Sequence, residues 1–428
     1  MISNRMPKGF GRQLINKREP ITHTSKTRRD FLKTAAFGAA VLTLDANASQ
    51  PANIVEGDDH LDSSIDSPAQ SIVYAGTFKR EPSKGIYAWK FDATTGKLES
   101  LGLVADTMRP VFVCLHPHGK FLYAVSRPTA TDRQNIGVAL AYSIDSKTAR
   151  LTLLNSSPTR GIDPAYASVD LSGRNLMVAN FGSNRGDGCI SVFPIKQDGS
   201  LVNATSVVDY SGSSVHPQRQ TGPHSHAINV SPDNRFVLVA DLGLDKMFVY
   251  RFDAEKGKLT PNDPPFASLR PGSGPRHFVF HANGKFLYVV NELNSTLTIF
   301  RWSDGILKEV QTISTLPRDF TGANSAATLQ VHPSARFLYA SNRGADNLAI
   351  FSIDEKAGTL TPVEFVSAQG KTPGSFSIDP SGRWLIVANQ SSDSLVVFRV
   401  DVQTGKLGNT GQSIEIGTPS CVRFLRVR

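Results

Sequence analysis

A hairpin pattern that returns about every 50 residues constrains the fold of this 428-residue chain more than any other feature. Its clearest copy lies at 274–303, where an Ala-Asn-Gly-Lys turn at 282–285 joins two runs of strand-forming residues and a third run follows. Related second runs begin at Ile72, Phe121, Leu176, Phe236, Phe286, Phe337 and Leu385. The third runs end 47 to 57 residues apart. This period, with about four short strands per unit, is typical of a β-propeller blade, whereas a β-solenoid needs shorter and more uniform repeats.

The count of first strands predicts how the ring closes. Six of them precede an obvious hairpin: Pro110–His116, Ala165–Leu171, His224–Ser231, Arg276–His281, Ala326–His332 and Gly374–Asp379. The unit that begins at Ile72 lacks a first strand, and the run from Ser420 to Val427 has no second strand after it. We therefore predict an all-β fold over residues 70–428, a seven-bladed β-propeller of four-stranded antiparallel blades. Its C-terminal strand completes the first blade and leaves no open sheet edge at the seam.

The N-terminal residues resemble an export signal. The segment 27–33, Thr-Arg-Arg-Asp-Phe-Leu-Lys, resembles the twin-arginine motif, and an apolar stretch of 11 residues follows it at 34–44. A membrane-spanning helix needs about 20 residues, so we expect no stable membrane anchor. Ala46-Asn47-Ala48 is a small-residue cleavage site. These features predict a twin-arginine signal peptide at 1–48, a flexible linker at 49–69 and a periplasmic or secreted protein; the alternative for the first segment is a disordered basic tail.

The charge of the chain excludes one class of partner. The formal net charge is +9, but residues 1–48 hold nine Lys or Arg and three Asp or Glu. The rest of the chain has 37 basic and 34 acidic residues, which is too balanced for a nucleic-acid-binding surface. No P-loop and no Gly-x-Gly-x-x-Gly follows a strand, so no nucleotide cofactor is expected. The three cysteines, Cys114, Cys189 and Cys421, fit no metal or redox motif.

Polar residues are predicted to converge on one face of the ring. Antiparallel pairing puts the start of each first strand beside the end of the second strand. First strands start with His224, His226, Arg276 and His277. Second strands end with Arg127, Asn180, Asp241, Asn291, Glu292, Asn342, Arg343, Asn389 and Gln390. We expect a polar funnel there, with two pairs that face each other across single hairpins: Arg276 with Glu292, and His226 with Asp241.

Each of these residues also has a structural explanation. The asparagines at strand ends could satisfy backbone groups, and Arg276 with Glu292 could be a structural ion pair. His224-Ser225-His226 could be one arm of a metal site, with Glu292 or His277 as a further ligand. Arginines beside that site would repel a cation, and we expect no metal.

Five segments together carry a family resemblance: Gly222–His226, Gly274–His277, Asn291–Leu293, Ser341–Gly344 and Ser314–Pro317 with Gly322–Asn324. In combination they resemble the seven-bladed propeller lactonases, a family that includes bacterial 6-phosphogluconolactonases and fungal carboxy-muconate cyclases. From the muconate-cyclising members the resemblance implies catalytic roles for four residues: His226, Arg276, Glu292 and Arg343. The candidates for substrate binding are His224, His277, Asn324, Asn342 and Gln390.

These groups suit the opening or closing of a lactone. The carbonyl oxygen gains negative charge in the transition state, and Arg276 or Arg343 could stabilise it. His226 or Glu292 could act as the acid–base group. A second arginine would hold a carboxylate or phosphate of the substrate. No serine nucleophile motif is present, so we expect direct attack by water.

We therefore predict a lactonase, similar to 6-phosphogluconolactonase, that acts on a sugar-acid or muconate-type lactone. The predicted export signal argues against a sugar-phosphate substrate, because sugar-phosphate metabolism is cytoplasmic. The alternative is a non-enzymatic binding or scaffold propeller of the Tyr-Val-Thr-Asn repeat type. Such a ring needs no cluster of His, Arg and Glu on one face, and this cluster distinguishes the two.

Overall fold

The computed structural model describes residues 70–78, 83–127, 136–182 and 188–426. The predicted signal peptide and linker lie outside these ranges. The described residues form 28 β-strands in seven four-stranded antiparallel sheets, which confirms the predicted propeller. No helix in this part of the chain is long and apolar enough to cross a membrane.

Each blade has an inner, a second, a third and an outer strand. The inner strands are β4 (Pro110–Leu115), β8 (Pro164–Val169), β12 (Ser225–Val230), β16 (Pro275–Phe280), β20 (Ser325–Val331), β24 (Pro373–Ile378) and β28 (Pro419–Arg426). The second strands are β1 (Gln70–Thr77), β5 (Phe121–Ser126), β9 (Asn175–Asn180), β13 (Phe236–Asp241), β17 (Phe286–Asn291), β21 (Phe337–Arg343) and β25 (Trp384–Asn389).

The third and outer strands complete the sheets. The third strands are β2 (Gly85–Asp92), β6 (Ile136–Ile144), β10 (Ile190–Pro194), β14 (Lys246–Asp253), β18 (Thr296–Ser303), β22 (Asn347–Ile353) and β26 (Ser394–Val400). The outer strands are β3 (Leu98–Asp106), β7 (Leu151–Ile162), β11 (Ser206–Val208), β15 (Lys258–Ser268), β19 (Ile306–Ser314), β23 (Leu360–Ser367) and β27 (Leu407–Glu415). Blade 1 is β28-β1-β2-β3, and blades 2 to 7 begin at β4, β8, β12, β16, β20 and β24.

The two ends of the propeller meet in blade 1, as predicted. Strand β28 pairs antiparallel with β1, with Ser71 opposite Arg426 and Gly76 opposite Cys421. The seam thus has the same inner-strand hydrogen bonds as the other blades, and neither strand is left as an open edge. Cys421, like Cys114 and Cys189, is buried.

The apolar core lies between the blades. The hydrophobic clusters combine residues of neighbouring sheets; one of them packs Tyr288 and Val290 of blade 5 against Leu338 and Ala340 of blade 6. The tyrosine that recurs in the second strands also links neighbours. The Tyr123 hydroxyl, for example, donates a hydrogen bond to a backbone carbonyl of the next blade, Gly199 O, at 3.0 Å. Packing on both sides therefore fixes each sheet, and the inner strands take fixed positions around the channel.

Every inner strand carries one extra residue near its start. In blade 4 Ser225 pairs with Asp241 and Ala227 with Ala240, so that His226 has no partner in the register. In blade 5 Arg276 occupies the same position. The corresponding extra residues are Val111, Ala165, Gly374 and Ser420. In blade 6 the two residues Ala327 and Thr328 stand where the partner strand has one. A β-bulge redirects the side chain it carries, so each blade has one such position at the same rim of the channel.

Candidate active site

The carboxylate of Glu292 lies at the centre of the polar rim and contacts three guanidinium groups. Arg276 Nε and Arg343 Nη2 each lie 2.9 Å from Glu292 Oε2. Arg219 Nη2 lies 2.5 Å from Oε1. The exposed fraction of the Glu292 side chain is 5%, and that of Arg276 is 11%. Three cations around one buried anion leave an excess of positive charge, which suits an anionic substrate or a developing oxyanion.

The surroundings of these groups set their charge states. Burial alone raises the pKa of Glu292, but Arg343 and Arg276 outweigh it and hold the pKa well below its usual range. Burial and the charge of Arg343 lower the pKa of Arg276 to about 9, and this side chain remains a cation at neutral pH. Glu292 is therefore a permanent anion at neutral pH, suited to holding the arginines and poorly suited to accepting a proton.

Two imidazoles lie beside this cluster. The ring centroids of His226 and His277 are 5.1 Å apart, and both residues are buried. Burial, followed by the charge of Arg276, lowers the pKa of each histidine well below 6.5. His226 Nδ1 has no hydrogen-bond partner within the described ranges. Both rings are thus neutral at neutral pH, and His226 has the lone pair that a general base needs.

The bulge in β16 explains why two consecutive residues reach the same place. Successive side chains of a regular strand point to opposite faces. Because Arg276 is the extra residue, its Nη1 lies 3.2 Å from Nε2 of the adjacent His277. Arg276 Nη1 also donates to Ala327 O at 2.5 Å, across the boundary between blades 5 and 6. His277 Nδ1 lies 3.0 Å from Thr328 Oγ1.

One predicted pair is wrong. Asp241 does not face His226, because the bulge shifts the register and places Ser225 opposite Asp241. The Asp241 carboxylate accepts hydrogen bonds from the backbone of His224 at 3.1 Å and of Leu244 at 3.0 Å. The Ser225 hydroxyl donates to it at 3.0 Å. Asp241 therefore holds the turn together and contributes no carboxylate to the histidine.

The structure brings together the four predicted catalytic residues and His277. It places the other substrate-binding candidates differently. His224 stacks on Phe181 with ring centroids 4.4 Å apart, and its Nδ1 lies 2.6 Å from Phe181 O. Gln390 is half-buried at the same rim, two blades from Glu292.

Of the two asparagine candidates, Asn342 lies near the end of β21 and Asn324 directly precedes β20. Asn342 Oδ1 accepts hydrogen bonds from Thr315 Oγ1 at 2.8 Å and from Asn324 Nδ2 at 3.0 Å. Asn342 Nδ2 donates to Thr315 O at 2.7 Å and to Asn347 Oδ1 at 2.9 Å. These four bonds use the whole amide of Asn342, which is fully buried. Asn180 is equally buried in blade 3, where its Nδ2 donates to the backbone carbonyls of Thr159 and Gly188.

Sequence reasoning missed Arg219. It lies in the segment between β11 and β12, and this segment falls within the longest interval of the repeat, 57 residues. The segment is anchored to blade 4, since Gln220 Nε2 donates to Leu242 O at 2.9 Å. The signal that could have indicated Arg219 was the insertion itself, which carries several polar residues at the rim of the funnel. Phe181, which contacts both His224 and His226, was also missed.

The arrangement gives no support to the metal-arm alternative. No three His, Cys, Asp or Glu side chains within the described residues lie close enough together to hold a metal ion. Phe181 holds the ring of His224, and two arginines, Arg276 and Arg343, lie near His226 and would repel a cation there.

Comparison with known proteins agrees with this architecture. Residues 72–424 match the family model described as lactonase, 7-bladed beta-propeller. The chain belongs to this lactonase family. A 6-phosphogluconolactonase of Bacillus subtilis is 34% identical over 356 residues, which are 83% of this chain and 98% of that protein. A 6-phosphogluconolactonase of Formosa agariphila is 32% identical over 309 residues, 71% of this chain and 85% of that protein.

A solved structure shares the lactonase fold over the whole of its own chain. The periplasmic gluconolactonase of Pseudomonas aeruginosa superposes with a TM-score of 0.79 at 36% identity, and the match covers 84% of this chain and 100% of that one. The predicted family, fold and lactonase activity are thus confirmed, and a non-enzymatic scaffold is not favoured.

Proposed function

We propose that this lactonase hydrolyses the ring ester of a sugar-acid lactone, with His226 as the general base. The observation that carries the proposal is the buried Glu292 carboxylate, held by Arg276, Arg343 and Arg219 beside the neutral imidazole of His226. The relatives named 6-phosphogluconolactonase and periplasmic gluconolactonase support a sugar-acid lactone as the substrate class.

The reaction follows from these groups. A water molecule attacks the carbonyl carbon while His226 accepts one of its protons, so that the new C–O bond and a tetrahedral oxyanion form together. Arg276 and Arg343 stabilise this oxyanion. When the tetrahedral centre collapses, the ring C–O bond breaks and the imidazolium of His226 returns the proton to the leaving oxygen. The products are a hydroxyl group and a carboxylic acid, which then releases its proton to solvent.

In this proposal Glu292 positions the arginines. Its two oxygens fix three guanidinium groups, and its low pKa keeps it ionised throughout the reaction. The choice between His226 and Glu292 as base therefore favours His226, because guanidinium groups already occupy both oxygens of Glu292, whereas His226 Nδ1 has no hydrogen-bond partner among the described residues.

The proposal is tested by a substrate screen on the purified protein. Proton release is followed with a pH indicator for glucono-1,5-lactone, its 6-phosphate and a carboxymuconolactone, while elemental analysis measures bound metal. We expect the sugar-acid lactones to be hydrolysed and Asn180→Ala, a framework control, to match the wild type. No hydrolysis of any sugar-acid lactone, or turnover of the muconolactone alone, would contradict the proposed substrate class.

We also propose that the protein is exported through the twin-arginine route. Arg28-Arg29 and the short apolar stretch after them support this, as does the similarity to the periplasmic gluconolactonase of Pseudomonas aeruginosa. Replacement of both arginines by lysine should leave the protein in the cytoplasm. Unchanged export of that variant would show that the motif is not the signal.

A further inference from the structure

The central channel continues beyond His277 towards the face opposite the catalytic cluster. A cavity of about 430 Å³ extends from His277 and Thr328 to the turns at Leu171 and Pro232, which follow β8 and β12. A wider cavity of about 800 Å³ opens at the same far face and shares Gln330 and Arg423 with the first. We call the smaller cavity the lower channel. Both volumes are in the range of small-molecule sites.

Apolar and hydrogen-bonding side chains both line the lower channel. Its described lining residues include no Asp or Glu. Its polar side chains include Tyr166, Asn229, His277, Thr328, Gln330 and Arg423. Asn229 Nδ2 donates to the Tyr166 hydroxyl at 3.2 Å, which leaves the Tyr166 proton available as a donor. The cavity thus offers one full positive charge and several neutral donors.

Arg423 has no anionic partner among the residues that the structure describes. Its Nη1 donates to the backbone carbonyl of Val422 at 2.8 Å, and its guanidinium lies over the Phe112 ring, 4.6 Å from the centroid. Throughout the described ranges it forms no salt bridge. An arginine normally gains most from a carboxylate or phosphate that it can bind with two parallel hydrogen bonds.

The acids at the edge of the wider cavity are already engaged. Asp379 accepts hydrogen bonds from the backbone N–H groups of Ser381 at 2.9 Å and Trp384 at 2.8 Å. Asp145 accepts from the backbone N–H groups of Lys147 at 3.0 Å and Thr148 at 2.8 Å. Both carboxylates serve their own turns, and neither neutralises Arg423.

Aromatic rings connect Arg423 to the catalytic cluster. Phe112, on which Arg423 lies, packs on Tyr166 with centroids 4.2 Å apart. The ring centroids of Tyr166 and His277 are 5.1 Å apart, and those of His277 and His226 are also 5.1 Å apart. These contacts form one continuous series of packed rings between the proposed base and Arg423. His277 links the two regions, since it lies beside the proposed base His226 and also lines the lower channel.

We propose that the lower channel is a product subsite in which Arg423 binds the carboxylate of the aldonate formed by ring opening. The identity of this ligand rests on the proposed function. A neutral lactone has no anionic group for Arg423, whereas hydrolysis creates a carboxylate that fits a guanidinium. Tyr166 and Gln330 are placed to contact the hydroxyl groups of the open chain.

Calorimetric titration with sodium gluconate tests the subsite. We expect the wild type to bind gluconate and Arg423→Gln to bind it about ten-fold to a hundred-fold more weakly, since a charge-assisted bond is lost. Arg399→Gln, the same change on an exposed arginine of β26, should stay within about two-fold. Sorbitol, which has the same hydroxyl chain without the carboxylate, should not bind. Equal affinity in the wild type and Arg423→Gln would overturn the proposal.

A second measurement needs no variant. A crystal structure of the wild-type protein with gluconate should place the carboxylate within hydrogen-bond distance of Arg423. Gluconate seen only beside Arg276 and Arg343, or nowhere in the channel, would overturn the subsite. The two proposals can fail separately: gluconate at Arg423 without lactone hydrolysis contradicts only the proposed function, and hydrolysis without gluconate at Arg423 contradicts only the subsite.

Discussion

Blades 5 and 7 share one backbone arrangement at the catalytic rim. In blade 5 Pro275 pairs with Asn291 before the register skips a residue, and in blade 7 Pro373 pairs with Asn389 before the same skip. Both asparagines end a buried second strand and are themselves fully buried. The repeated residues therefore build the same local frame twice.

The two blades differ in the side chains that this frame presents. The extra residue is Arg276 in blade 5 and Gly374 in blade 7. The residue after the buried asparagine is Glu292 in blade 5 and Gln390 in blade 7. An ion pair in one blade thus corresponds to a glycine and a neutral amide in the other. The comparison shows that the repeated positions determine the fold, whereas the chemistry depends on the two positions that vary.

Removal of the closing strand should have the largest effect of all, because it should destabilise the propeller that both blades belong to. Deletion of the residues from Ser420 onward removes most of the inner strand of blade 1 and exposes the edge of β1. We expect a large loss of stability and aggregation, because unpaired strand edges associate. Thermal unfolding and gel filtration measure this. A soluble truncated protein with an unchanged Tm would show that β28 does not close the ring.

Removal of the proposed base should have the largest effect on catalysis. His226→Ala should lower kcat by roughly 10²–10⁴, the contribution of a positioned general base. Asn180→Ala, which alters a buried residue outside the cluster, should keep near wild-type rates if it folds. Steady-state kinetics on the lactone measures both. Similar rates for His226→Ala and the wild type would exclude His226 as the base.

Loss of the Glu292 carboxylate in blade 5 should destabilise the protein, whereas a change at the equivalent position of blade 7, Gln390, should have little effect. Glu292→Gln leaves three arginines without their anion, and we expect a cost of about 3–5 kcal/mol in the free energy of unfolding. Gln390→Ala should cost about 1 kcal/mol or less. Because the folded-state pKa of Glu292 is lowered, its contribution is fully present above the unfolded pKa of about 4.3, decreases as the pH falls below that value and is lost only at the much lower folded-state pKa. The difference between wild type and Glu292→Gln should therefore shrink in acid, and denaturant titrations at pH 7 and pH 3.5 check this.

The smallest expected effect is that of mild acid on the rate. Burial and Arg276 lower the pKa of His226 well below 6.5, so this base should remain neutral as the pH falls from 8 to about 6. We expect kcat/KM to be nearly flat in that window once spontaneous hydrolysis is subtracted. An acid limb with its midpoint at or above 6.5 would contradict a neutral, buried His226 as the base.

Much of the fold could be predicted because the repeat is regular. The positions of Arg276 and Glu292 at opposite ends of one hairpin followed from antiparallel pairing alone, and the observed 2.9 Å contact agrees with it. The closing strand could be predicted because the first unit lacks a strand that the last run supplies.

The rest of the site depends on features that a strand pattern does not show. A bulge adds one residue to a strand and changes the alternation of apolar and polar residues too little to be recognised in the sequence. For this reason the predicted pairing of His226 with Asp241 was wrong. Arg219 comes from an insertion outside the repeat. The choice of base depends on burial and on three neighbouring cations, which only the folded arrangement determines.

The most direct test of the account compares kcat for Arg276→Ala and Gly374→Ala, two changes at equivalent bulges of blades 5 and 7. A Cβ at Gly374 has room, since its nearest neighbour is Gln390 Oε1 at 3.6 Å. We predict that Arg276→Ala lowers kcat by about 10²–10³, the loss expected for one oxyanion donor. Gly374→Ala should stay within about three-fold of the wild type. Comparable rates for the two variants, or full activity of Arg276→Ala, would contradict the claim that catalysis depends on the cluster around Glu292.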